Sequence, residues 1–352
     1  MQFDQDLAYM LQADHVARYE QGCVYILDRR IYPIRVEYVA CRDHIEVRDA
    51  LRNMVTQSAG PYTAAAMGMA LAAYESRTLR GEERLSYLRE AAYTISNARP
   101  TTANRMAQVT QGALAIAEAA IDDPDLDLKI RDYGIRSMKQ RYDAIHTVAK
   151  HFMEVMPDTG TVMTQCFGET IIGMLAREIR KRGKDISFVC PETRPFLQGA
   201  RFTASVLQDM GIDVTVITDN MVCAYMENVG VDIFTSAADS ICMDGSIVNK
   251  VGTHQIAIVA KRFGVPYYAT GIPDMDIENA DAVTIEMRDP EESLSCHGIK
   301  HTLDGVKGWY PAFDITPPEA VTGIVTDLGI YAPEDLQRYK ERKGEGDFYF
   351  AV

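Results

Sequence analysis

The sequence lacks several patterns that would identify a class of protein at once. It contains no Gly-x-Gly-x-x-Gly run, so the dinucleotide-binding fingerprint of many α/β enzymes is absent. No apolar run approaches the roughly 20 residues that a membrane-spanning helix needs. The first 20 residues are too polar and acidic for a secretory signal. We therefore expect a cytoplasmic protein without a membrane partner.

Cysteine and histidine are too scattered to indicate a metal site or a disulfide framework. The seven cysteines are odd in number and include no Cys-x-x-Cys pair. The seven histidines show no His-Glu-x-x-His spacing. We expect no metal, and free thiols in a reducing compartment.

Basic residues are also fewer than acidic residues. The chain has 36 lysines and arginines against 50 aspartates and glutamates, which gives a formal net charge of −14. Nucleic acids and anionic membranes bind preferentially to basic protein surfaces, so we expect no nucleic-acid partner. A local basic pocket for a small anion is compatible with this balance. The length of 352 residues favours two domains.

The first half of the chain, residues 1–150, is predicted to be a mainly helical domain with a small β hairpin. The hairpin would pair Val24–Leu27 with Ile34–Val39. Apolar spacing and favourable residues predict helices over Leu7–Tyr19, Val47–Val55, Pro61–Tyr74, Glu82–Ala98, Ala103–Ala120 and Leu126–Val155.

Residues 151–352 alternate between short apolar runs and helical segments. This alternation predicts a doubly wound, parallel α/β domain. The predicted strands are Thr161–Thr164, Ile186–Cys190, Val214–Thr218, Ile233–Ser236, Val265–Ala269 and Val283–Glu286. The predicted helices are Gly168–Arg182, Gly199–Met210, Met221–Val229 and Lys250–Phe263. Ligands of such sheets bind at the carboxyl ends of the strands.

Polar residues follow three of the predicted strands at that edge. Cys166 comes just before a helix, whose N-terminus should lower the pKa of a thiol; a buried structural cysteine is the alternative. Arg194 and Gln198 lie in a proline-rich loop and could bind a sugar or phosphate, or belong to an ordinary loop.

The third polar cluster joins an aspartate to a basic segment. Asp239 follows a strand, where an aspartate is often only a cap. Asn249 and Lys250 are expected to open a helix, whose main-chain N–H groups together with a cation could hold phosphate.

These segments, taken in order, resemble one family. They are similar to the methylthioribose-1-phosphate isomerases, a group that also includes ribose-1,5-bisphosphate isomerases and regulatory subunits of the exchange factor for initiation factor two. The resemblance extends from about Val24 to Gly329 and is carried by Arg99-Pro100-Thr101, Glu192-Thr193-Arg194-Pro195, Gln198-Gly199-Ala200-Arg201, Asn249-Lys250-Val251-Gly252-Thr253 and Pro311-Ala312-Phe313-Asp314.

The resemblance implies a Rossmann-like second domain, a homodimer and no cofactor. It implies that Cys166 and Asp239 are the catalytic residues. It further implies that a sugar phosphate is bound by Arg99, Gln198, Asn249 and Lys250. The implied reaction converts 5-methylthioribose 1-phosphate, or a close 5-substituted ribose 1-phosphate, to the ketose 1-phosphate. Ribose 1,5-bisphosphate, 5-deoxyribose 1-phosphate and a non-catalytic regulatory role are the alternatives.

Three positions depart from the family pattern. Gln57 stands where the isomerases usually carry an arginine, Gln165 stands in place of histidine, and Tyr310 stands in place of asparagine. We expect these positions to bear on the choice of substrate.

Overall fold

The computed structural model describes residues 3–99, 103–296 and 298–343. The chain divides between Ala144 and Ile145 into two compact units. Sequence predicts the boundary after residue 150, and the division of the structure falls six residues earlier, within a single long helix. Within the described residues, no helix is long and apolar enough to cross a membrane.

The first unit is mainly helical and carries a small antiparallel sheet. Its strands are β1 (Ala17–Glu20), β2 (Cys23–Leu27) and β3 (Tyr38–Cys41), paired in that order. Its helices are α1 (Ala13–Val16), α2 (His44–Arg52), α3 (Gly60–Glu75), α4 (Gly81–Ser96), α5 (Ala103–Ala119) and α6 (Leu126–Phe152), the last of which continues into the second unit.

Helix α3 forms the centre of this unit. Alanine, methionine and glycine dominate its sequence, and it is buried on nearly all sides, as expected of a helix that is apolar all round. Helices α2, α4 and α5 pack against it. Pro61 lies in its first turn, where the missing N–H costs nothing.

Two predictions for the first unit need correction. The predicted helix Leu7–Tyr19 is only the short helix α1, because its last residues pair with β2 as strand β1. The predicted hairpin does form, but its second strand begins at Tyr38, after the segment 34–37. The other five predicted helices are confirmed to within three residues at each end.

The second unit is built on a seven-stranded sheet with the order β15-β14-β10-β7-β4-β5-β6. All neighbouring strands are parallel except the edge pair of β14 and β15. The strands are β4 (Thr159–Thr164), β5 (Asp185–Pro191), β6 (Val214–Ile217), β7 (Ile233–Ala237), β10 (Tyr267–Thr270), β14 (Gly323–Thr326) and β15 (Gly329–Tyr331). The predicted doubly wound α/β fold is confirmed.

Helices connect these strands. They are α7 (Glu169–Arg182), α8 (Ala204–Asp209), α9 (Val222–Asn228), α10 (Thr253–Phe263) and α11 (Glu291–Leu294). Helix α12 (Leu336–Lys343) follows the last strand, β15. A π-helical turn, Gly199–Thr203, precedes α8, so the predicted helix Gly199–Met210 is divided into two parts.

A second, antiparallel sheet was not predicted. It consists of β8 (Ser240–Ile241), β9 (Ile247–Lys250) and β13 (Phe313–Thr316), in the order β13-β9-β8. A two-stranded ribbon of β11 (Ser295–Cys296) and β12 (Ile299–Lys300) lies between β10 and β13 in the chain. The predicted strand Val283–Glu286 was wrong: the segment has no regular structure, and β14 and β15 supply the remaining strands of the large sheet.

Candidate active site

Cys166 and Asp239 follow two neighbouring strands at the same edge of the large sheet. Cys166 lies two residues beyond the end of β4, and Asp239 lies two residues beyond the end of β7. These strands pair in parallel, with Thr164 opposite Thr235. From β4 the chain moves outward to β5 and β6, then crosses to β7 on the other side. The pair therefore flanks the topological switch point, where doubly wound sheets bind ligands.

The backbone of Cys166 is held in an unusual conformation. Its φ of +59° lies in the left-handed region, which a residue with a side chain adopts only at a cost of about 1–3 kcal/mol. The amide of Cys166 donates to Thr193 Oγ1 at 3.2 Å, and Thr203 Oγ1 donates to the Cys166 carbonyl. These two contacts hold the main chain of Cys166 in place at the strand end.

Gly168 lets the segment carrying Cys166 approach strand β7. A Cβ atom at position 168 would lie 2.7 Å from the Cβ of Ala237, the last residue of β7. Only glycine therefore allows the start of α7 to lie this close to the strand that leads to Asp239.

The charges around Cys166 show which groups lie near its thiol. Burial raises the pKa of Cys166 to about 12; Lys250 opposes this shift, and Asp239 adds to it. The predicted lowering of this pKa by the helix N-terminus was therefore wrong, because burial outweighs the hydrogen bond from the Phe167 amide. At neutral pH the thiol is protonated.

Asp239 differs from its expected environment. A catalytic aspartate at this strand end is expected to be buried, but Asp239 is exposed. Its amide donates to the Val248 carbonyl of β9 at 2.9 Å, which joins the end of β7 to the small sheet. An exposed carboxylate is better suited to accept a proton than to donate one.

Lys250 is nearly buried, with 7% of its surface exposed. It is the last residue of β9 and does not open a helix as predicted, because β9 pairs with β13 up to this point and α10 begins only at Thr253. Within the described residues, its ammonium group forms no hydrogen bond or salt bridge. A buried, unpaired cation is costly and favours binding of an anion.

The N-terminus of α10 is not available to phosphate. The Asp314 carboxylate accepts hydrogen bonds from the amides of Gly252 at 2.7 Å and His254 at 3.2 Å. The prediction that these N–H groups hold phosphate was therefore wrong. Asn249 supports the same turn, because its side-chain amide donates to Thr253 Oγ1 at 3.0 Å. Its role in substrate binding stays a prediction.

Gln198 offers an acceptor to the site. It is buried, with 7% of its surface exposed, and its Oε1 accepts no hydrogen bond from the part of the chain that the structure describes. Buried acceptors are almost always satisfied, so this atom suits a ligand hydroxyl or N–H. Its binding role stays a prediction.

Arg194 has a structural role in the loop before Gln198. Its guanidinium donates to the carbonyls of Ser295 at 2.8 Å and Pro195 at 3.3 Å. The alternative of an ordinary loop arginine therefore describes this residue better than contact with a sugar or phosphate does. The peptide bond between Arg194 and Pro195 is cis.

Sequence reasoning did not assign Thr193 and Asp219 to the site. Thr193 has a φ of +64° and is almost completely buried. Its amide donates to Asp219 Oδ1 at 2.8 Å, and the Arg194 amide donates to Oδ2 at 2.7 Å. Asp219 lies two residues beyond the end of β6, as Cys166 and Asp239 lie beyond their strands. The rule that polar residues just beyond a strand end bind ligands could therefore have selected it as well.

Arg99, a predicted binding residue, and Gln57, which departs from the family pattern, belong to the first unit. Arg99 is half-buried and lies just before residues 100–102, which are outside the described part of the chain. Its predicted contact with the sugar phosphate stays a prediction. Gln57 is buried, and its main-chain carbonyl accepts a hydrogen bond from Arg29 Nη1 at 2.7 Å.

The family follows from comparison with known proteins. A profile of the initiation factor 2 subunit family matches residues 56–333. The chain belongs to the initiation factor 2 subunit family. This confirms the resemblance seen in the motifs.

Members of the initiation factor 2 subunit family with similar sequences are named as isomerases. Methylthioribose-1-phosphate isomerase 1 of Pseudothermotoga lettingae is 32% identical over 335 residues, which cover 90% of this chain and 93% of the relative. Methylthioribose-1-phosphate isomerase of Chloroflexus aurantiacus is 33% identical over 347 residues, which cover 92% of this chain and 96% of the relative.

Solved structures of the same family are also similar. The crystal structure of 5-methylthioribose 1-phosphate isomerase from Pyrococcus horikoshii matches with a TM-score of 0.81 and 29% identity, covering 93% of this chain and 95% of its own. The translation initiation factor eIF-2B subunit delta from A. fulgidus matches with a TM-score of 0.79 and 30% identity, covering 91% and 96%.

Proposed function

We propose that this protein is an aldose-ketose isomerase that converts 5-methylthioribose 1-phosphate to the ketose 1-phosphate in methionine salvage. The observation that carries the proposal is the placement of Cys166 and Asp239 beyond neighbouring strands, close enough for the carboxylate to raise the pKa of the thiol. Relatives named as methylthioribose-1-phosphate isomerases, at least 30% identical over nine-tenths of the chain, support the same activity.

The reaction needs one proton donor and one proton acceptor. C1 of the substrate is esterified, so the ring opens only if the C1–O4 bond breaks while an acid protonates O4. A hydrogen then moves from C2 to C1, and the proton of the 2-hydroxyl is removed to leave a ketone. One proton is gained at O4 and one is lost at O2, so the reaction balances without a cofactor.

Cys166 and Asp239 suit these two roles. The thiol is neutral near pH 7, because burial raises its pKa to about 12, so it carries the proton that O4 must receive. Lys250 lowers this pKa, which favours the transfer. The exposed carboxylate of Asp239 can accept the proton from O2. The different surroundings of the two groups thus separate acid from base, as in other acid–base pairs.

Lys250 is proposed to anchor the phosphate. Its ammonium group lies near the Cys166 thiol, whose pKa it lowers. Gln198 and Asn249 are proposed to bind sugar hydroxyls or phosphate oxygens, and Arg99 is proposed to add a second cation. A charge-assisted hydrogen bond to phosphate contributes about 1.5–3 kcal/mol, so loss of the Lys250 ammonium should weaken binding at least ten-fold.

We further propose that the protein works as a homodimer in the cytoplasm. The resemblance of the chain to the isomerases supports both statements. Size-exclusion chromatography with light scattering tests the first: a mass twice the 39.3 kDa of one chain is expected, and a monomer would contradict it.

The experiment for the activity is turnover across a panel of 5-substituted ribose 1-phosphates, followed by proton NMR in deuterated water. The panel contains the 5-methylthio, 5-deoxy and 5-phospho compounds. Fastest turnover of the 5-methylthio compound supports the proposal, and fastest turnover of another member would reassign the substrate. Deuterium at C1 of the product would favour proton transfer over a hydride shift.

A non-catalytic regulatory role is the second candidate. The similarity to the eIF-2B subunit delta of A. fulgidus favours it, as does Gln57 at the position of the usual arginine. This candidate predicts thermal stabilisation by sugar phosphates without turnover of any member of the panel.

A further inference from the structure

Two aromatic rings lie against the Lys250 ammonium group. Its Nζ atom is 5.1 Å from the centre of the Phe313 ring and 5.8 Å from the centre of the Tyr310 ring. Both distances are within the roughly 6 Å over which a ring attracts a cation. Tyr310 is itself buried, with 5% of its surface exposed. The cation therefore lies beside two aromatic side chains, on a lysine of which only 7% of the surface is exposed.

Aromatic neighbours differ from a carboxylate in their effect on the charge and the N–H donors of the ammonium group. A carboxylate would neutralise the ammonium group and occupy its N–H donors. The rings attract the cation through their π-electrons and leave its formal charge unchanged. Since Lys250 makes no salt bridge or hydrogen bond with the residues that the structure describes, its charge and donors remain available to an anion.

Main-chain pairing fixes both rings relative to Lys250. Phe313 is directly opposite Lys250 in the pairing of β13 with β9, which places the two side chains on the same face. Tyr310 is held by its carbonyl, which accepts from the Arg288 amide at 2.9 Å, and by the bridge between Pro311 and Met287.

Tyr310 also lies beside the proposed catalytic thiol. Burial raises the pKa of Tyr310 to about 12, and Glu292 and Cys166 add to the shift. Its hydroxyl is therefore neutral across the physiological range.

We propose that Tyr310 and Phe313 are positioning residues that hold the Lys250 ammonium group ready for the phosphate of the substrate. This inference rests on the proposed function, and it adds two residues that act on the substrate only through Lys250. The chemical class of the ligand is a phosphate monoester.

Steady-state kinetics with methylthioribose 1-phosphate test the proposal in the full chain. Tyr310→Leu removes the ring, and Tyr310→Phe is the matched control that retains it. We expect Tyr310→Leu to raise KM about three- to ten-fold while kcat changes less, since one desolvated cation–ring contact is lost. We expect Tyr310→Phe to recover most of the change. Equal effects of the two variants on KM would overturn the proposal.

The same variants are then made with Lys250→Met. If the rings act through the ammonium group, Tyr310→Leu should change KM less than two-fold when Lys250 is absent. An undiminished effect would show that Tyr310 acts independently of Lys250 and would overturn the proposal. If Tyr310→Leu fails to fold, Phe313→Leu replaces it, and its effect on KM is again compared with and without Lys250.

A measurement without substrate separates this inference from the proposed function. In the ligand-free chain, Tyr310→Leu should lower the melting temperature about 1–4 °C more with Lys250 present than with Lys250→Met. If this coupling is found but no phosphate ester is turned over, the proposed function fails and the contact between cation and rings stands. Absence of the coupling would refute the role of the rings even in an active enzyme.

Discussion

Alkylation of Cys166 by iodoacetamide should be very slow at pH 8. The thiolate is the nucleophile, so the rate follows its population. Burial raises the pKa of this thiol from 9.0 to about 12. At pH 8 the thiolate fraction is then about a thousandth of that of an ordinary thiol, because each pKa unit is a factor of ten. Mass spectrometry of the peptide containing Cys166, after timed exposure to the reagent, measures the rate. The exposed Cys223 of the same chain is the internal reference.

Two substitutions test the origin of the raised pKa with opposite signs. Asp239→Asn removes a negative charge that raises the pKa of Cys166, so alkylation should become faster. Lys250→Met removes a positive charge that lowers it, so alkylation should become slower still. Asp213→Asn, which removes an exposed charge elsewhere in the unit, is the control. Alkylation of Cys166 as fast as that of Cys223, or no effect of Asp239→Asn, would refute the reasoning.

Three further predictions concern stability. Asp219→Ala removes the acceptor of the Thr193 and Arg194 amides, and guanidinium denaturation should show a loss of about 2–4 kcal/mol in the unfolding free energy; a loss below 1 kcal/mol would contradict the anchoring role. Burial raises the pKa of Glu178, but hydrogen bonds from His146 and Arg182 outweigh it, so the pKa lies below 4.5. The carboxylate therefore stabilises the fold above that pH, and this contribution is lost as the pH falls through the folded pKa. In thermal unfolding scans, Glu178→Gln should make the melting temperature depend less on pH. An unchanged pH profile would count against the pairing of Glu178 with His146 and Arg182. Gly252→Ala should lower the free energy of unfolding, measured by calorimetry, by about 1–3 kcal/mol, because φ is +104° and the new Cβ would lie 2.9 Å from Gln165 Nε2. Gly183→Ala is the control: φ is also positive there but the space is open, so the loss should be smaller.

The sequence was sufficient to predict five of the seven strands of the large sheet and the residues at its edge. Strict alternation of short apolar runs with helical segments was enough to place β4, β5, β6, β7 and β10, and the strand-end rule led directly to Cys166 and Asp239. Both inferences depend on local signals: strand length, apolar character, and polar residues immediately beyond. These signals do not depend on distant parts of the chain.

The small sheet could not be predicted in the same way. Ile247–Lys250 pairs with the two-residue strand β8 and, over its full length, with Phe313–Thr316, more than 60 residues later. In isolation, Asn249 and Lys250 look like the start of the following helix. The Asp314 carboxylate at the N-terminus of α10 and the rings beside Lys250 depend on the same long-range pairing. A thiol pKa set by burial is likewise a property of the folded chain, which is why the sign predicted for Cys166 was wrong.

The central claim is that Cys166 and Asp239 together perform acid–base chemistry on a bound phosphosugar. The most direct measurement is kcat for methylthioribose 1-phosphate in the full chain, Cys166→Ala and Asp239→Asn, with substrate affinity measured by calorimetry in each variant. We predict that either substitution lowers kcat by at least about a hundred-fold while affinity changes little. Undiminished kcat in either variant, with substrate still bound, would contradict the claim.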